Sequence, residues 1–456
     1  MKQRAKSSER ANMDPRSASP PVPSAEPSEA STQAGDPAFG LQTESFATYR
    51  EHLDELKTRL ADSGFLALLL IDVSEINKVE RDYGSDVYDD LMRLVREVVF
   101  ELKGKQLRTG DVVALNELAG DVFLIFLMPR NAQELLLAED LEKIANRIES
   151  YLTRKISKTA LHYLHERREI TIGTSLALRN PLIREERLIL RAIEEARQAA
   201  QVNRQLRQLQ NKQLLQRIIL RQQIDTVFQP IFDLRTGKPH GFEALCRGPK
   251  GTPLETPMSL FDVATKTDLL FELDHLCRRQ ALQAGGNLER QYKLFINTLP
   301  FSMRDPSFQG KYLIDLFEGT NLAPEQIVLE VTERLAIENY ALFVDAMKYF
   351  SDMRCLIAID DMGAGYSGLE KIVHLRPHYV KLDMYMVRDI DTSFVKQQML
   401  QAFRVMAEKI DARLIAEGVE TLDELETVRK IGVDYVQGHL LAKPSAAFQL
   451  TPNIKL

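Results

Sequence analysis

Tryptophan is absent from the 456-residue chain, and cysteine occurs only three times. Cys246, Cys277 and Cys355 are widely spaced, odd in number and form no C-x-x-C pair. That argues against a disulfide framework or a thiolate zinc site and fits a reducing cytosol. Long apolar runs are also missing. The longest, Phe65 to Val73, is interrupted by Asp72 and is about half of what a bilayer-spanning helix needs. No signal-peptide apolar core stands at the N-terminus, so a soluble cytoplasmic protein without a membrane span is expected. Neither charge sign dominates: 59 basic residues against 65 acidic ones leave a net charge of -6. No global positive field recruits nucleic acid, and none is expected as a partner.

At about 150 residues per domain the length allows two or three domains. Residues 1–40 hold six of the 19 prolines, are rich in Ser and Ala, and have no aromatic residue before Phe39. That composition does not offset the entropy of ordering, so a disordered tail is expected there. From about 41 to 200 the pattern is mixed α/β. Strand-like runs lie at Leu66–Val73, Val112–Leu115, Val122–Leu127 and Ile170–Ala177, with helical periodicity over Asp86–Leu102 and Glu139–Leu152. Leu182 to Gln229 contains neither Pro nor Gly and suits a long connecting helix, with residues 201–222 as the linker proper. Val202, Leu206 and Leu209 form a short a/d-like seam there. It is too short to decide between a dimerising coiled coil and a connector packed on its own domains.

Residues 223–456 contain eight short apolar runs, most separated by helix-length segments: Phe228–Leu234, Gly241–Cys246, Lys293–Ile296, Ile327–Val331, Leu356–Ile359, Tyr379–Leu382, Leu414–Ala416 and Asp434–Val436. This predicts an α/β fold with a TIM-like (β/α)8 barrel. Polar residues sit within or just after the ends of these runs: Glu243, Asn297, Glu330, Asp360 with Asp361, Lys381 with Asp383, Glu417 and Gln437. In a parallel barrel such positions converge on the face where active sites lie. Strand alternation puts Glu243, Leu245 and Arg247 on one side. Several carboxylates buried together require cations, and an oxygen-rich set without His or Cys suits a hard divalent cation, Mg²⁺ or Mn²⁺, with Ca²⁺ as the alternative. Two adjacent aspartates invite two metals, the arrangement that activates water for phosphoryl displacement. Histidines look less informative: His374 and His378 are separated by Pro377, and His162 and His165 lie in a charged segment.

Read in order, the segments FQPIFDL, FEALCRGP, FINTLP, VLEVTER, AIDDMGAGYSGL, VKLD, IAEGVET and VQGHLLAKP resemble the EAL family of bacterial cyclic-di-GMP phosphodiesterases, from about Leu215 to Pro444. The resemblance implies hydrolysis of cyclic-di-GMP to linear pGpG, with Mg²⁺ or Mn²⁺, two per site. It further implies Glu243, Asn297, Glu330, Asp360 and Asp361 as metal ligands and Glu417 with Lys381 as the catalytic pair. Leu245, Arg247, Asp383 and Gln437 would contact substrate, and Glu333 would steady the loop after the paired aspartates. Met362, Ala364 and Gly368 depart from the family's usual Phe, Thr and Ser in that loop, and Thr298-Leu299 follows Asn297 where Leu-Ser is common. No ligand position is lost.

The preceding region resembles, more distantly, a GGDEF diguanylate cyclase domain. LLLIDVSEINKVERDYG looks like that family's first metal-ligand strand and helix, and ELAGDVFLIFL like its hairpin. Val122 stands where a metal-binding carboxylate belongs, and Glu80 with Arg81 replace an Asn-Asp pair that reads guanine. Asp72 alone cannot support two-metal chemistry, so no cyclase activity is expected. Arg108 and Asp111 have the R-x-x-D form of that family's inhibitory cyclic-di-GMP site, two residues farther from the hairpin than usual. The expectation is a degenerate regulatory domain, with GTP as a candidate ligand there and a homodimer as a candidate assembly. The complete carboxylate set favours an active phosphodiesterase over a silent cyclic-di-GMP receptor acting through a protein partner.

Overall fold

In the N-terminal sheet, alternation sorts one set of side chains to each face. The computed structural model describes residues 46–77, 79–80, 84–117, 120–129, 136–159, 170–299, 305, 319–332, 340–363, 376–454 and 456. The expected tail at 1–40 lies outside them. After helix α1 (Leu53–Ser63), strands β1 (Phe65–Asp72), β2 (Val112–Leu115), β3 (Val122–Leu127) and β4 (Thr171–Leu178) form an antiparallel sheet in the order β2-β3-β1-β4. Phe65, Ala67, Leu69 and Ile71 of β1 face helices α2 (Ser85–Phe100) and α3 (Ala138–Thr159), while Leu66, Leu68 and Leu70 face α1 and helix α4 (Glu185–Leu220). Both faces are buried, which explains why β1 reads as a continuous apolar run.

Helix α4 is 36 residues long, about 54 Å at 1.5 Å per residue. Its first half lays Leu188, Ile189, Ala192, Ile193, Ala196 and Ala200 on the sheet, and its last turns bury Leu215 and Ile218 against barrel residues Leu254, Leu260 and Leu273. Between them Val202, Leu206 and Leu209 are exposed. Gly173 of β4 permits the close approach: a Cβ there would lie 1.9 Å from the Ala196 carbonyl oxygen. The helical reading of Leu182 to Gln229 needs correction at both ends. The helix stops at Leu220, Gln222 takes a φ of 55°, and β5 begins at Asp225. The end carries no Gly or Pro, so the absence of breakers overextended the expectation.

The closed barrel runs β10-β11-β12-β5-β6-β7-β8-β9. Its strands are β5 (Asp225–Asp233), β6 (Pro239–Arg247), β7 (Lys293–Asn297), β8 (Ile327–Thr332), β9 (Leu356–Met362), β10 (Tyr379–Leu382), β11 (Arg413–Ala416) and β12 (Tyr435–Val436). All eight coincide with the apolar runs. The barrel departs from all-parallel form in one strand: β5 is antiparallel to both β6 and β12. A short turn joins β5 to β6, and a hairpin that tight can connect only antiparallel strands. Asp233 shapes it, its Oδ1 accepting from the Arg235 and Thr236 amides at 2.9 and 2.8 Å.

Outward side chains such as Phe242, Ile296, Leu329, Ile357, Val380 and Leu414 pack in the shell cluster with Leu282, Phe350, Leu400 and Leu425. These last four come from the flanking helices α6 (Leu270–Ala284), α7 (Tyr340–Asp352), α8 (Phe394–Lys409) and α9 (Leu422–Ile431); α5 (Pro257–Lys266) packs with α4. One interior layer is apolar: Ile231, Phe295, Val328, Ala358, Tyr379 and Ile415, with Tyr435 against them. His240 closes that end, its ring stacked on Tyr435 at 4.0 Å and its Nε2 2.9 Å from the Tyr379 hydroxyl. Among the described residues no helix is long and apolar enough to cross a membrane.

Candidate active site

Two residues beyond each member of the apolar layer, a strand's next inward side chain appears. Phe295 leads to Asn297, Val328 to Glu330, Ala358 to Asp360, Tyr379 to Lys381, Ile415 to Glu417 and Tyr435 to Gln437. In antiparallel β5 the count reverses, and Ile231 leads back to Gln229. Glu243 of β6 pairs with Gln229 in register and completes the ring. The whole upper layer of the barrel interior is therefore polar.

Lys381 lies at its centre, 1% exposed. Its Nζ is 2.6 Å from Glu417 Oε1, 2.7 Å from Glu330 Oε1, 3.3 Å from Asp360 Oδ1 and 3.5 Å from Glu243 Oε2. Asn297 Nδ2 donates to Glu243 Oε1 at 3.1 Å. Gln437 Nε2 donates to Glu243 Oε2 at 2.7 Å and to Gln229 Oε1 at 3.0 Å, and Gln229 Nε2 donates to the Ala442 carbonyl at 3.2 Å. Gln229 was not among the residues singled out from the sequence. Its signal was available in FQPIFDL, but only if β5 is known to run backwards.

The paired aspartates owe their geometry to a bulge. In the β9–β10 ladder Val380 pairs with Ile359 and Leu382 with Met362, leaving Asp360 and Asp361 opposite the single residue Lys381. Neighbours on a regular strand point to opposite faces; an inserted residue cancels the alternation. Asp361 takes a φ of 58°, a left-handed conformation that aspartate tolerates better than most residues. Ligand atoms from Asp360, Asp361 and Glu417 consequently lie within 4.8 Å of one another. Gly363 follows with a φ of 97°, which suits glycine.

Four carboxylates thus share one ammonium, and Asp361 stands next to them. Burial pushes Glu330 well above the usual carboxylate range, with Lys381 opposing and Glu243, Asp360 and Glu417 adding to it. Glu417 and Asp360 are raised for the same first reason, and Asp361 is pushed up to about 7 by burial and then by Asp360. Burial alone would depress Lys381, but the surrounding carboxylates together hold it well above the usual lysine value. Glu330 Oε2 is buried without a hydrogen-bond partner among the described residues. An orphaned carboxylate oxygen within an uncompensated anionic cluster is the donor set a hard divalent cation requires, so these residues fit Mg²⁺ or Mn²⁺.

Arg247 and Leu245 are half-buried near the end of β6, and the Arg247 guanidinium donates to the Cys246 carbonyl at 2.7 Å. Asp383 caps the turn after β10, its Oδ1 accepting the Tyr385 amide at 2.7 Å. Glu333, Ala364, Gly368 and His374 lie outside the described residues, as do His162 and His165. His378 is occupied, its Nδ1 accepting the Ile357 amide at 3.1 Å.

At the N-terminal sheet, Asp72 at the end of β1 pairs in register with buried Val122. Its carboxylate is held by Arg204 of α4 at 2.8 Å, and the same guanidinium is 3.7 Å from Glu75. A side-chain cation therefore sits on Asp72. Asp111 is buried, with Oδ2 accepting the Arg108 amide at 2.8 Å and Oδ1 the Met128 amide at 2.9 Å, while Arg108 Nη1 donates to the Met128 carbonyl at 3.2 Å. Both side chains tie this turn to the end of β3.

An EAL domain family model matches residues 211–444, a little over half the chain. The chain belongs to the EAL domain family. Across both regions it is similar to cyclic di-GMP phosphodiesterase NbdA of Pseudomonas aeruginosa, 26% identical over 432 residues that cover 90% of this chain and 52% of that protein. It is also similar to uncharacterized protein y4lL of Sinorhizobium fredii, 25% identical over 435 residues, 92% of this chain and 50% of that one. The chain spans about half the length of these curated relatives. Its fold is shared with the crystal structure of the Xanthomonas citri FimX EAL domain in complex with c-di-GMP, at a TM-score of 0.50 and 19% identity over 54% of this chain and 98% of that one.

Proposed function

We propose that this EAL barrel hydrolyses one phosphodiester of cyclic di-GMP to linear pGpG with Mg²⁺ or Mn²⁺. The observation that carries this reading is the β9 bulge, which gathers Asp360 and Asp361 with Glu417 beside the Lys381-centred carboxylate ring. Glu243, Asn297, Glu330, Asp360 and Asp361 would hold the cations, which when bound supply polarisation of the phosphate and a more acidic water. Glu417 accepts the proton of the attacking water, and its pairing with Lys381 fixes the direction of its acceptor oxygen. Arg247 meets a phosphate oxygen at the rim, with Leu245 against the ligand and Asp383 and Gln437 completing the walls. Gln437 also holds Glu243 in place.

The N-terminal sheet acts as a degenerate, GGDEF-like regulatory unit without cyclase activity. Val122 offers no ligand, and Arg204 supplies to Asp72 the positive charge that a metal would otherwise provide. Helix α4, packed on both the sheet and α5, is the element through which it acts.

The test is incubation of purified protein with cyclic di-GMP and Mg²⁺ or Mn²⁺, products separated by chromatography, with and without GTP. pGpG from the wild type and none from Glu417→Ala is expected. Binding without turnover under both metals would make the barrel a receptor and overturn the hydrolytic reading.

A further inference from the structure

The largest fully buried side chain among the described residues is a charged one: Arg278 of α6, 1% exposed. No step of the proposed hydrolysis uses it. An arginine is almost never buried unless it is paired, and the partners here are Asp274, 2% exposed, and Asp305, 4% exposed. Asp274 and Arg278 stand four positions apart on α6 and so share one face of the helix. The buried residues around them are apolar: Leu273 and Leu276 pack with α4 and α5, and Ala281 and Leu282 pack in the barrel shell. A buried ion pair in such surroundings is weak evidence for stability, because apolar side chains of similar volume often serve as well or better. What it does supply is a fixed direction for each hydrogen bond.

The two oxygens of Asp274 have different partners. Oδ2 accepts from Arg278 Nε at 2.8 Å, and Oδ1 accepts the backbone amide of Leu299 at 3.3 Å. Leu299 lies two residues after Asn297, the last residue of β7, whose Nδ2 donates to Glu243 Oε1. Between them the Thr298 amide donates to the Glu330 carbonyl at 2.9 Å. Arg278 Nη2 meanwhile reaches Asp305 Oδ2 at 3.3 Å, an oxygen that also lies 2.7 Å from His275 Nδ1. One guanidinium therefore fixes two points of the chain soon after Asn297: Leu299 through Asp274, and Asp305 directly.

We propose, on the cation-binding reading of the barrel, that Arg278 and Asp274 are positioning residues for Asn297. They hold the chain after β7 so that the Asn297 carboxamide presents its oxygen to a divalent cation while its Nδ2 stays on Glu243. Asn297 is the one neutral member of the ligand set, so it draws an ion only as a dipole, and a dipole contributes only when it is correctly aimed. A carboxylate tolerates a small displacement better, because its charge attracts the ion from any direction. The neutral ligand is therefore the one whose outer partners matter most.

The experiment titrates purified full-length protein with Mn²⁺ in the absence of substrate, counting free Mn²⁺ by electron paramagnetic resonance. Wild type, Arg278→Met, Arg278→Lys, Asn297→Ala and the double variant Asn297→Ala/Arg278→Met are compared, each checked for folding by a melt in chelator. Loss of an outer partner typically weakens a metal site about 10–100-fold. Arg278→Met should weaken at least one bound Mn²⁺ by about tenfold or more, and Arg278→Lys, which keeps the charge but not the fork, by less. In the Asn297→Ala background the Arg278→Met change should have no further effect, a result that general destabilisation would not give. Should Arg278→Met fail to fold, with two carboxylates left without their cation, Asp274→Ala/Arg278→Met/Asp305→Asn buries none of these charges and tests the same loss. Wild-type Mn²⁺ affinity in the folded variants would overturn the proposal and leave the cation site standing, as would losses that simply add in the double variant. No Mn²⁺ binding by the wild type would instead remove the cation reading itself, and the positioning role with it.

Discussion

Replacing Glu330 by Gln separates a cation site from an ordinary buried ion pair. Glu330 is fully buried, and its Oε1 lies 2.7 Å from Lys381 Nζ. At an effective dielectric of about 20 that contact supplies about 6 kcal/mol of attraction. Against it stand several kcal/mol of carboxylate desolvation and repulsion from Glu243, Asp360 and Glu417, which together outweigh Lys381 and hold the group well above the usual carboxylate range. A neutral residue of the same shape removes all three contributions. In chelator-treated protein Glu330→Gln should therefore be as stable as wild type, or more stable by up to about 2 kcal/mol. With Mn²⁺ the order inverts. At about one hundred times its dissociation constant a ligand that binds only the folded state adds about 2.7 kcal/mol. That is roughly 5–10 °C in melting temperature at about 2–4 °C per kcal/mol for a domain of this size. The variant should lose most of that rise. Thermal melts of both proteins in chelator and across a Mn²⁺ titration provide the assay. A loss of about 3 kcal/mol or more in the metal-free variant, the usual result of breaking a structural buried pair, would refute the argument, as would an undiminished Mn²⁺ response.

Three further outcomes follow from other parts of the fold. Burial, and next the Lys293 charge, lower His240 from 6.5 to about 4, so the unfolded chain binds the extra proton first as pH falls. Up to about 3 kcal/mol of stability should be lost between about pH 6.5 and pH 4, and denaturant melts of His240→Phe should show a correspondingly shallower acid loss. Gly173→Ala forces a methyl group onto the α4 backbone near Ala196 and Ala200 and should cost about 3 kcal/mol in urea unfolding; a cost below about 1 kcal/mol would mean that α4 is not seated this closely. Thr421 and Glu424 form a reciprocal cap at the start of α9, so Thr421→Ala should lower stability by about 1 kcal/mol, with Thr421→Ser retaining most of it.

Local patterning by itself determined much of this protein. Apolar runs placed all twelve strands within a few residues, because strand burial is written directly into side-chain hydrophobicity. Polar residues at the strand ends marked Glu243, Asn297, Glu330, Asp360, Asp361, Lys381, Glu417 and Gln437, since a barrel carries such positions to one face whatever else it does. What local pattern does not encode is which partner a segment meets. The direction of β5, and with it the role of Gln229, follows from hairpin closure. The end of α4 at Leu220 follows from its docking on the barrel rather than from any breaker residue. The bulge that turns Asp360 and Asp361 to one side exists only in the register between β9 and β10. The pairing of Asp72 with Arg204 likewise joins residues far apart in the chain. Each is a choice among neighbours, and only tertiary packing makes it.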